Sequence, residues 1–144
     1  MDLMKAINEI GEGPATEQQL EAINNRASGY SALLGLKFIA LSQQEVVAEL
    51  AVGEHHLQPA GLVNGGVYCG IGETVGSLAG MVCAPGRSIV GVNNSTDFIA
   101  SVKAGVITAV CRPIQLGNRT QLFEIIMSHE GNEVARTILR TMVR

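Results

Sequence analysis

The chain has 144 residues, of which 47% are hydrophobic and only 16% are charged, and its formal net charge is −3. This length fits one domain and can bury a core without disulfides or metal ions. The weak net acidity, a 3% aromatic content and the absence of Trp argue against nucleic-acid binding, which needs a basic surface and stacking rings.

The first predicted elements form a helical leader over residues 1–30, which precedes one domain over residues 31–144. Met1–Ile10 is amphipathic, and a Gly-Glu-Gly-Pro break follows it. Thr16 then starts a second helix, because Gln19 three residues later completes a capping-box pattern. Two helices are therefore expected before the first strand.

A β-hairpin is predicted next, because the hydrophobic period changes to two from Gly35 onward. Its strands are Leu36–Leu41 and Val46–Val52, and a polar Ser-Gln-Gln turn joins them. The following apolar stretch, Gly65–Cys83, is long enough to favour a helix over a strand. Its glycines each cost roughly 1 kcal/mol relative to Ala in a helix. Close approach of a curved sheet is the expected reason for them.

The chain after Pro85-Gly86 has the pattern of strands. Gly117-Asn118 and residues 130–132 provide the turns between the last three strands. An antiparallel meander that packs on one apolar helix predicts an α+β fold with a single sheet. The four predicted strands are Ser88–Phe98, Val106–Pro113, Gln121–His129 and Val134–Val143.

The apolar helix has an alternative interpretation, a membrane span. Gly72, Gly76 and Gly80 repeat the G-x-x-x-G spacing of membrane helix pairs. Glu73, however, would lie in the middle of the membrane, where a charge is costly. The stretch also lacks a flanking basic cluster, which would set its orientation. No membrane span is therefore expected.

The low charged fraction also bears on assembly, because soluble domains usually carry about 25% charged residues. Burial of much of the surface against other subunits would explain the difference, so a homo-oligomer is expected. The cysteines at 69, 83 and 111 cannot all pair with one another, and no secretory signal precedes the first helix. Reduced thiols and a cytoplasmic location are therefore expected.

One carboxylate stands out within the apolar helix. Helical spacing places Gly66, Gly70, Glu73, Ser77 and Gly80 on one face. A carboxylate is costly to bury without a partner, so its presence in this stretch needs a reason. Glu73 is predicted to look out from a flat, glycine-lined strip on which a ligand can lie beside a base. The alternative is that Glu73 bridges a subunit contact.

The start of the same helix is a second candidate feature. Asn64 is a good N-cap, and the glycines that follow leave the first amide N–H groups uncovered. Such helix starts bind anions and can stabilise an oxyanion. Gly65 and Glu73 are eight residues apart, hence about 12 Å along a helix. If both serve one carbonyl, they must come from different subunits across a two-fold interface.

Residues 56–66 read His-Leu-Gln-Pro-Ala-Gly-Leu-Val-Asn-Gly-Gly, and this stretch resembles the hotdog-fold acyl-CoA thioesterases. The phenylacetate-pathway and 4-hydroxybenzoyl-CoA thioesterases have H-x-N-P-x-G-x-x-H-G-G here. In that family a catalytic Asp or Glu follows eight residues after the first glycine of the final pair, and Glu73 occupies that position. The resemblance covers about residues 35–143. It implies an antiparallel β-sheet wrapped around one long glycine-rich helix.

The resemblance also implies roles for individual residues. The Gly65 amide would polarise a thioester carbonyl, while Glu73 would act as general base on water or as nucleophile through an acyl-enzyme anhydride. Gln58, in place of the family's usual Asn, would hold water or the carbonyl, and Ser77 would orient Glu73 or the water. Asn64 replaces the commoner His, so any role of that imidazole is missing or supplied by an amide. The residues implied in substrate binding are Gly66, Thr74, Asn93, Asn94, Arg119 and Thr120.

The function expected from this resemblance is hydrolysis of an acyl-CoA thioester, without a metal or cofactor, by a homotetramer built as a dimer of dimers. The missing His motivates one rival from a different class, a non-catalytic acyl-CoA-binding or regulatory protein. A second rival, a hotdog hydratase or dehydratase, usually carries a His with the acid, and Asn64 counts against it.

Other motifs are incomplete. The histidines at 55 and 56 lack the companions of a zinc site, so they are interpreted as loop residues. The glycines at 70, 72 and 76 miss the dinucleotide-binding pattern by one position, and Ser77 is not in a G-x-S-x-G elbow. Cys69 and Cys83 are expected to be packing residues.

Overall fold

A computed structural model describes residues 2–144 of the chain. The described chain begins with three short helices. The predicted capping box starts the second of them: the Thr16 hydroxyl accepts from the Gln19 N–H, and the Gln19 side chain accepts from the Thr16 N–H. Both predicted leader helices are confirmed, with Met1 outside the described residues, but the expectation of only two helices before the first strand is wrong because a third one follows them. The three helices are α1 (Leu3–Asn8), α2 (Glu17–Asn25) and α3 (Gly29–Leu34).

Six strands form one antiparallel sheet with the order β1-β2-β4-β5-β6-β3. The predicted hairpin is confirmed, since its two strands pair with each other. A turn of 3-10 helix, Glu54–His56, precedes the long helix α4, which runs from Gly65 to Cys83 as predicted. The strands are β1 (Leu36–Leu41), β2 (Val46–Ala51), β3 (Ile89–Phe98), β4 (Val106–Leu116), β5 (Thr120–His129) and β6 (Asn132–Val143).

The prediction of a meander through all four later strands is wrong in one respect. Strands β4, β5 and β6 are consecutive neighbours, but β3 pairs with β6 at the far edge and β4 pairs with β2. Helix α4 carries the chain across the sheet between β2 and β3, so β3 enters at the opposite edge. Strand periodicity predicts the elements, whereas the neighbour of each strand depends on this crossover.

The glycines of α4 that repeat every four residues face the sheet. A Cβ at Gly72 would lie 2.6–2.7 Å from the Cβ and Cγ2 of Thr137, and one at Gly76 would overlap Leu139. A Cβ at Gly80 would lie 2.8 Å from the Gln121 side chain. Close approach of the curved sheet is therefore the reason for the glycines, as predicted. Within residues 2–144, no helix is long and apolar enough to cross a membrane.

This close packing predicts that Gly72→Ala destabilises the protein. Thr137 is branched at Cβ and has little rotamer freedom, so it cannot move away cheaply. We expect overpacking to cost about 1–3 kcal/mol, offset by up to about 1 kcal/mol of helix propensity. Urea unfolding at fixed protein concentration measures the change. Gly13→Ala, where a Cβ meets nothing within 4 Å, is the control. A free energy of unfolding for Gly72→Ala that equals or exceeds that of the wild-type protein would contradict this packing.

Candidate active site

Glu73 lies half-buried in the middle of α4, next to the edge strand β3. The Nδ2 atom of Asn94 donates to Glu73 Oε2 at 3.3 Å and to the Cys69 carbonyl at 3.0 Å. Gly91 faces Glu73 from the same strand, and a Cβ at Gly91 would overlap Glu73 Oε1. The carboxylate is therefore held between its helix and a strand that leaves room for it.

A chain of side-chain hydrogen bonds supports Asn94 from behind. The Thr96 hydroxyl donates to Asn94 Oδ1 at 2.7 Å and lies 2.7 Å from the hydroxyl of Thr137, which is fully buried. With Oδ1 occupied as an acceptor, the amide nitrogen of Asn94 is turned toward Glu73. Sequence reasoning missed Thr96 and Thr137, although strand alternation places Asn94 and Thr96 on one face.

The start of α4 presents a free backbone donor. The Asn64 side chain caps the helix by accepting from the Gly66 N–H at 2.7 Å, as its position predicts. No acceptor for the Gly65 N–H is found in residues 2–144. The ring of Phe98 packs over Gly65, because a Cβ there would lie 2.7 Å from two ring carbons. Asn64 thus occupies one amide and leaves the preceding one available.

The candidate residues divide into two groups along α4. Gly65 and Glu73 belong to one continuous helix, so about 12 Å separates them along its axis. Gln58 lies in the loop that leads into the helix, where its side-chain oxygen accepts from the Ala60 N–H. Gln58, Asn64 and Gly65 therefore lie toward the helix start, and Glu73 lies two turns further on. One chain alone does not bring the two groups together.

A cavity of about 380 Å³ lies beside Glu73, between α4 and the three N-terminal helices. Thr74 and Ser77 line it together with the carboxylate, so these three predicted residues lie together. The remaining walls are mainly apolar, with polar groups on α2 and α3. They are formed by Leu3, Ile7, Ile23, Asn24, Arg26, Ala27, Ser28, Tyr30, Ser31, Leu36, Phe38, Leu78 and Met81.

The predicted open glycine strip on α4 is wrong at two positions. The ring of Tyr30 covers Gly70, since a Cβ there would lie 3.0 Å from two ring carbons. Gly80 is buried and its carbonyl accepts from the Gln121 amide at 3.2 Å. The third N-terminal helix and the curvature of the sheet close these parts of the helix face, and helical spacing alone does not reveal either.

The other predicted binding residues lie away from Glu73 in this chain. Asn93 pairs with the exposed Arg140, whereas Asn94 pairs with the buried Leu139, so the two asparagines lie on opposite faces of the sheet. Arg119 and Thr120 lie at the turn between β4 and β5. The Asn118 carbonyl in this turn accepts from the Arg87 guanidinium at 3.2 Å.

The two loop histidines differ in their surroundings. His55 is exposed, and His56 is buried at 3% exposure. The Gly53 N–H donates to His56 Nδ1 at 2.9 Å, so Nε2 carries the proton and donates to the Leu34 carbonyl at 2.8 Å. His56 therefore joins α3 to this loop. Across the described chain, no group of three or more His, Cys, Asp or Glu side chains is placed to hold a metal ion.

Two of the three cysteines, Cys83 and Cys111, have thiols whose pKa burial raises. Cys111 is buried, and burial together with the nearby Cys83 raises the pKa of its thiol to about 12. Burial also raises the pKa of the Cys83 thiol, which lies 3.4 Å from the Gln43 carbonyl. Because the thiolate is the reactive form, burial disfavours both groups as nucleophiles.

Comparison of the sequence with known proteins shows which family it matches. Residues 60–136 match the model of the Thioesterase superfamily. The chain is 34% identical over 119 residues to a Mycobacterium tuberculosis protein whose name classes it as an esterase, covering 80% of this chain and 83% of that protein. It is 30% identical over 127 residues to the 1,4-dihydroxy-2-naphthoyl-CoA hydrolase of Escherichia coli, covering 86% and 93%.

A solved structure gives the same answer for the fold. The thioesterase HI1161 of Haemophilus influenzae superimposes with a TM-score of 0.83 at 30% identity, covering 94% of each chain. The predicted hotdog fold is confirmed, and the relatives support thioester hydrolysis in general terms. This chain belongs to the thioesterase superfamily.

Proposed function

We propose that this protein hydrolyses acyl-CoA thioesters, with Glu73 as the reacting carboxylate. The observation that carries the proposal is a half-buried carboxylate, oriented by Asn94 and facing a mainly apolar cavity, in a chain of the thioesterase superfamily. The named substrate of the E. coli relative is a coenzyme A thioester, which supports this choice of thiol.

The chemistry needs one base or nucleophile and one oxyanion donor. In one route Glu73 removes a proton from water, the oxygen attacks the acyl carbon, the C–S bond breaks, and the proton passes from Glu73 to the leaving thiolate to give acid and coenzyme A. In the other, Glu73 attacks first and expels the thiolate, and water then hydrolyses the anhydride. Both routes place negative charge on the carbonyl oxygen, which the Gly65 N–H stabilises. Ser77 lies one turn from Glu73, where its hydroxyl orients the carboxylate or the water.

We propose that the complete site forms between two subunits. The separation along α4 keeps Gly65 and Glu73 of one chain from serving the same carbonyl. Among residues 2–144, strand β3 has only β6 as a sheet neighbour, so its other edge is open for pairing. Exposed apolar side chains along and just after this strand, Val92 at 47%, Phe98 at 59% and Ile99 at 54%, favour a second copy as the partner. Gln58, Asn64 and Gly65 of one copy would then face Glu73 of the other, and two such dimers form the tetramer.

Coenzyme A recognition falls to groups outside the cavity. Arg119 is exposed at the β4–β5 turn, and the Arg87 guanidinium contacts the same turn. In the described part of the chain, neither has a carboxylate at ion-pair distance. We propose that these two side chains contact the phosphates, and that Asn93 and Thr120 contribute from the sheet. Gly66 directly follows Gly65, whose N–H is the oxyanion donor. Asn64 caps helix α4 and stands where the family commonly has His.

The experiment that tests the proposal is release of free thiol from a panel of aromatic and aliphatic acyl-CoAs. Turnover of at least one member, with free acid and free thiol released in equal amounts, is the expected result. The replacement of His by Asn64 favours one alternative, a protein that binds acyl-CoA without cleaving it. Thermal stabilisation by acyl-CoA with no thiol release across the panel would favour that binding role and contradict hydrolysis.

A further inference from the structure

The cavity beside Glu73 extends along α4 and ends at helix α1. Met81 lines its far end and lies eight residues after Glu73, so the cavity follows the helix for about 12 Å. Leu3 and Ile7, one turn apart on α1, line the cavity as well. Helix α1 contacts the C-terminal end of α4, because the Gly86 N–H donates to the Asn8 side chain at 2.9 Å. Helix α1 therefore borders the end of the cavity opposite the carboxylate.

The leader is fixed in place by hydrogen bonds at several points. The Asn24 side chain pairs with both backbone groups of Phe38, donating to its carbonyl at 2.9 Å and accepting from its N–H at 2.8 Å. The Ala15 N–H donates to the Leu41 carbonyl at 2.7 Å. Ile7 and Ile10 are each 1% exposed, so α1 is also packed into the core. The leader helices are therefore a packed part of the domain.

The lining changes in character along the cavity. Glu73, Thr74 and Ser77 give one end its polar groups, and further polar or charged groups, including Arg26, come from α2, α3 and the link between them. At the far end, Leu3, Ile7, Leu78 and Met81 provide apolar surface. A volume of about 380 Å³ lies near the lower limit of ligand pockets, which range over about 300–1,000 Å³. This end fits an uncharged, apolar group of limited length.

We propose that α1 is the end wall of the acyl pocket and that Leu3 and Ile7 set the longest acyl group the enzyme accepts. The substrate class is a compact, uncharged, apolar acyl group, with its carbonyl at Glu73 and its far end against α1. This inference rests on the proposed function, because it takes the cavity beside the reacting carboxylate as the acyl pocket.

The test compares Leu3→Ala and Leu3→Trp on straight-chain acyl-CoAs from acetyl-CoA to palmitoyl-CoA, using kcat/KM for thiol release. Leu3 is only partly buried, so both changes are tolerable to the fold. We expect Leu3→Ala to raise kcat/KM about 10-fold for chains just beyond the wild-type limit. Leu3→Trp should lower it at least about 10-fold for the longest accepted chains and leave the shortest unchanged. Met81→Ala enlarges the same end from the facing helix and should shift the profile as Leu3→Ala does.

The matched controls are Met4→Ala and Met4→Trp, because Met4 is the next residue, is 42% exposed and does not line the cavity. They should keep the wild-type chain-length profile. An unchanged profile in the Leu3 and Met81 variants, with turnover intact, would overturn the end wall and leave thioester hydrolysis standing. If no acyl-CoA is hydrolysed, the proposed function fails. Calorimetric affinities for the same acyl-CoA series then test the end wall, because the Leu3 and Met81 variants should change the longest acyl chain that binds in the same directions.

Discussion

Glu73→Gln is expected to lower kcat for thioester hydrolysis by about 10²–10⁴-fold, the usual contribution of a general base. Glutamine keeps the size of the side chain and its contact with Asn94, but it can neither take a proton from water nor attack a carbonyl. The change should therefore remove the chemistry and leave the fold intact. Thiol release under saturating acyl-CoA, with the melting temperature and oligomeric state measured in parallel, gives the result.

Glu49→Gln is the matched control, since Glu49 is exposed on β2, and it should retain wild-type turnover. Wild-type kcat in Glu73→Gln would contradict the assignment of Glu73 as the reacting group. A single turnover in ¹⁸O-water tests for an anhydride, which is identified by label in Glu73. Direct attack by water places the label in the product acid, whereas an anhydride opened at the enzyme carbonyl places it in Glu73.

Replacing Gly65 by proline is expected to lower kcat by about 10²–10³-fold, the usual effect of removing one oxyanion donor. Proline lacks the N–H, and it is well tolerated at the first position of a helix. The preceding residue, Asn64, has φ −62° and ψ 137°, an extended conformation that suits a residue before proline. The Asn64 cap on Gly66 is kept. Gly65→Pro therefore deletes one donor while the helix start is preserved.

Gly65→Ala is the control for the added side chain, because alanine meets the Phe98 ring but keeps its N–H. Because the donor is kept, we expect this variant to retain at least about 10-fold more kcat than Gly65→Pro. The comparison is made on kcat at saturating acyl-CoA. Equal losses in the alanine and proline variants would mean that crowding at Phe98, and not the missing donor, causes the effect.

Features specified by neighbouring residues were predictable from the sequence. The ends of α4 at Gly65 and Cys83, its Asn64 cap and the Thr16 capping box all depend on residues within one turn. The unusual Glu73 in an apolar helix drew attention to the helix face on which the cavity opens. The hotdog fold followed from a motif of eleven residues around the helix start.

Features that depend on distant contacts were not predictable in the same way. The position of β3 beside β6 depends on which way α4 crosses the sheet, and no local pattern encodes that direction. Tyr30 covers Gly70 only because α3 packs on α4, and Thr137 supports Asn94 from another strand. The position of α1 beside the cavity likewise depends on a distant contact, the hydrogen bond from the Gly86 N–H to the Asn8 side chain.

The most direct test of a site shared between subunits is complementation between two inactive variants. Glu73→Gln and Gly65→Pro chains are co-expressed in equal amounts with different tags so that pairs form at random, and sequential purification of a separate sample verifies that the two chains assemble together. In a mixed pair, one of the two sites combines Glu73 of one chain with Gly65 of the other and is intact. Random pairing predicts recovery of about a quarter of wild-type turnover. Turnover no higher than that of the separate variants, with mixed pairs present, would contradict the shared site.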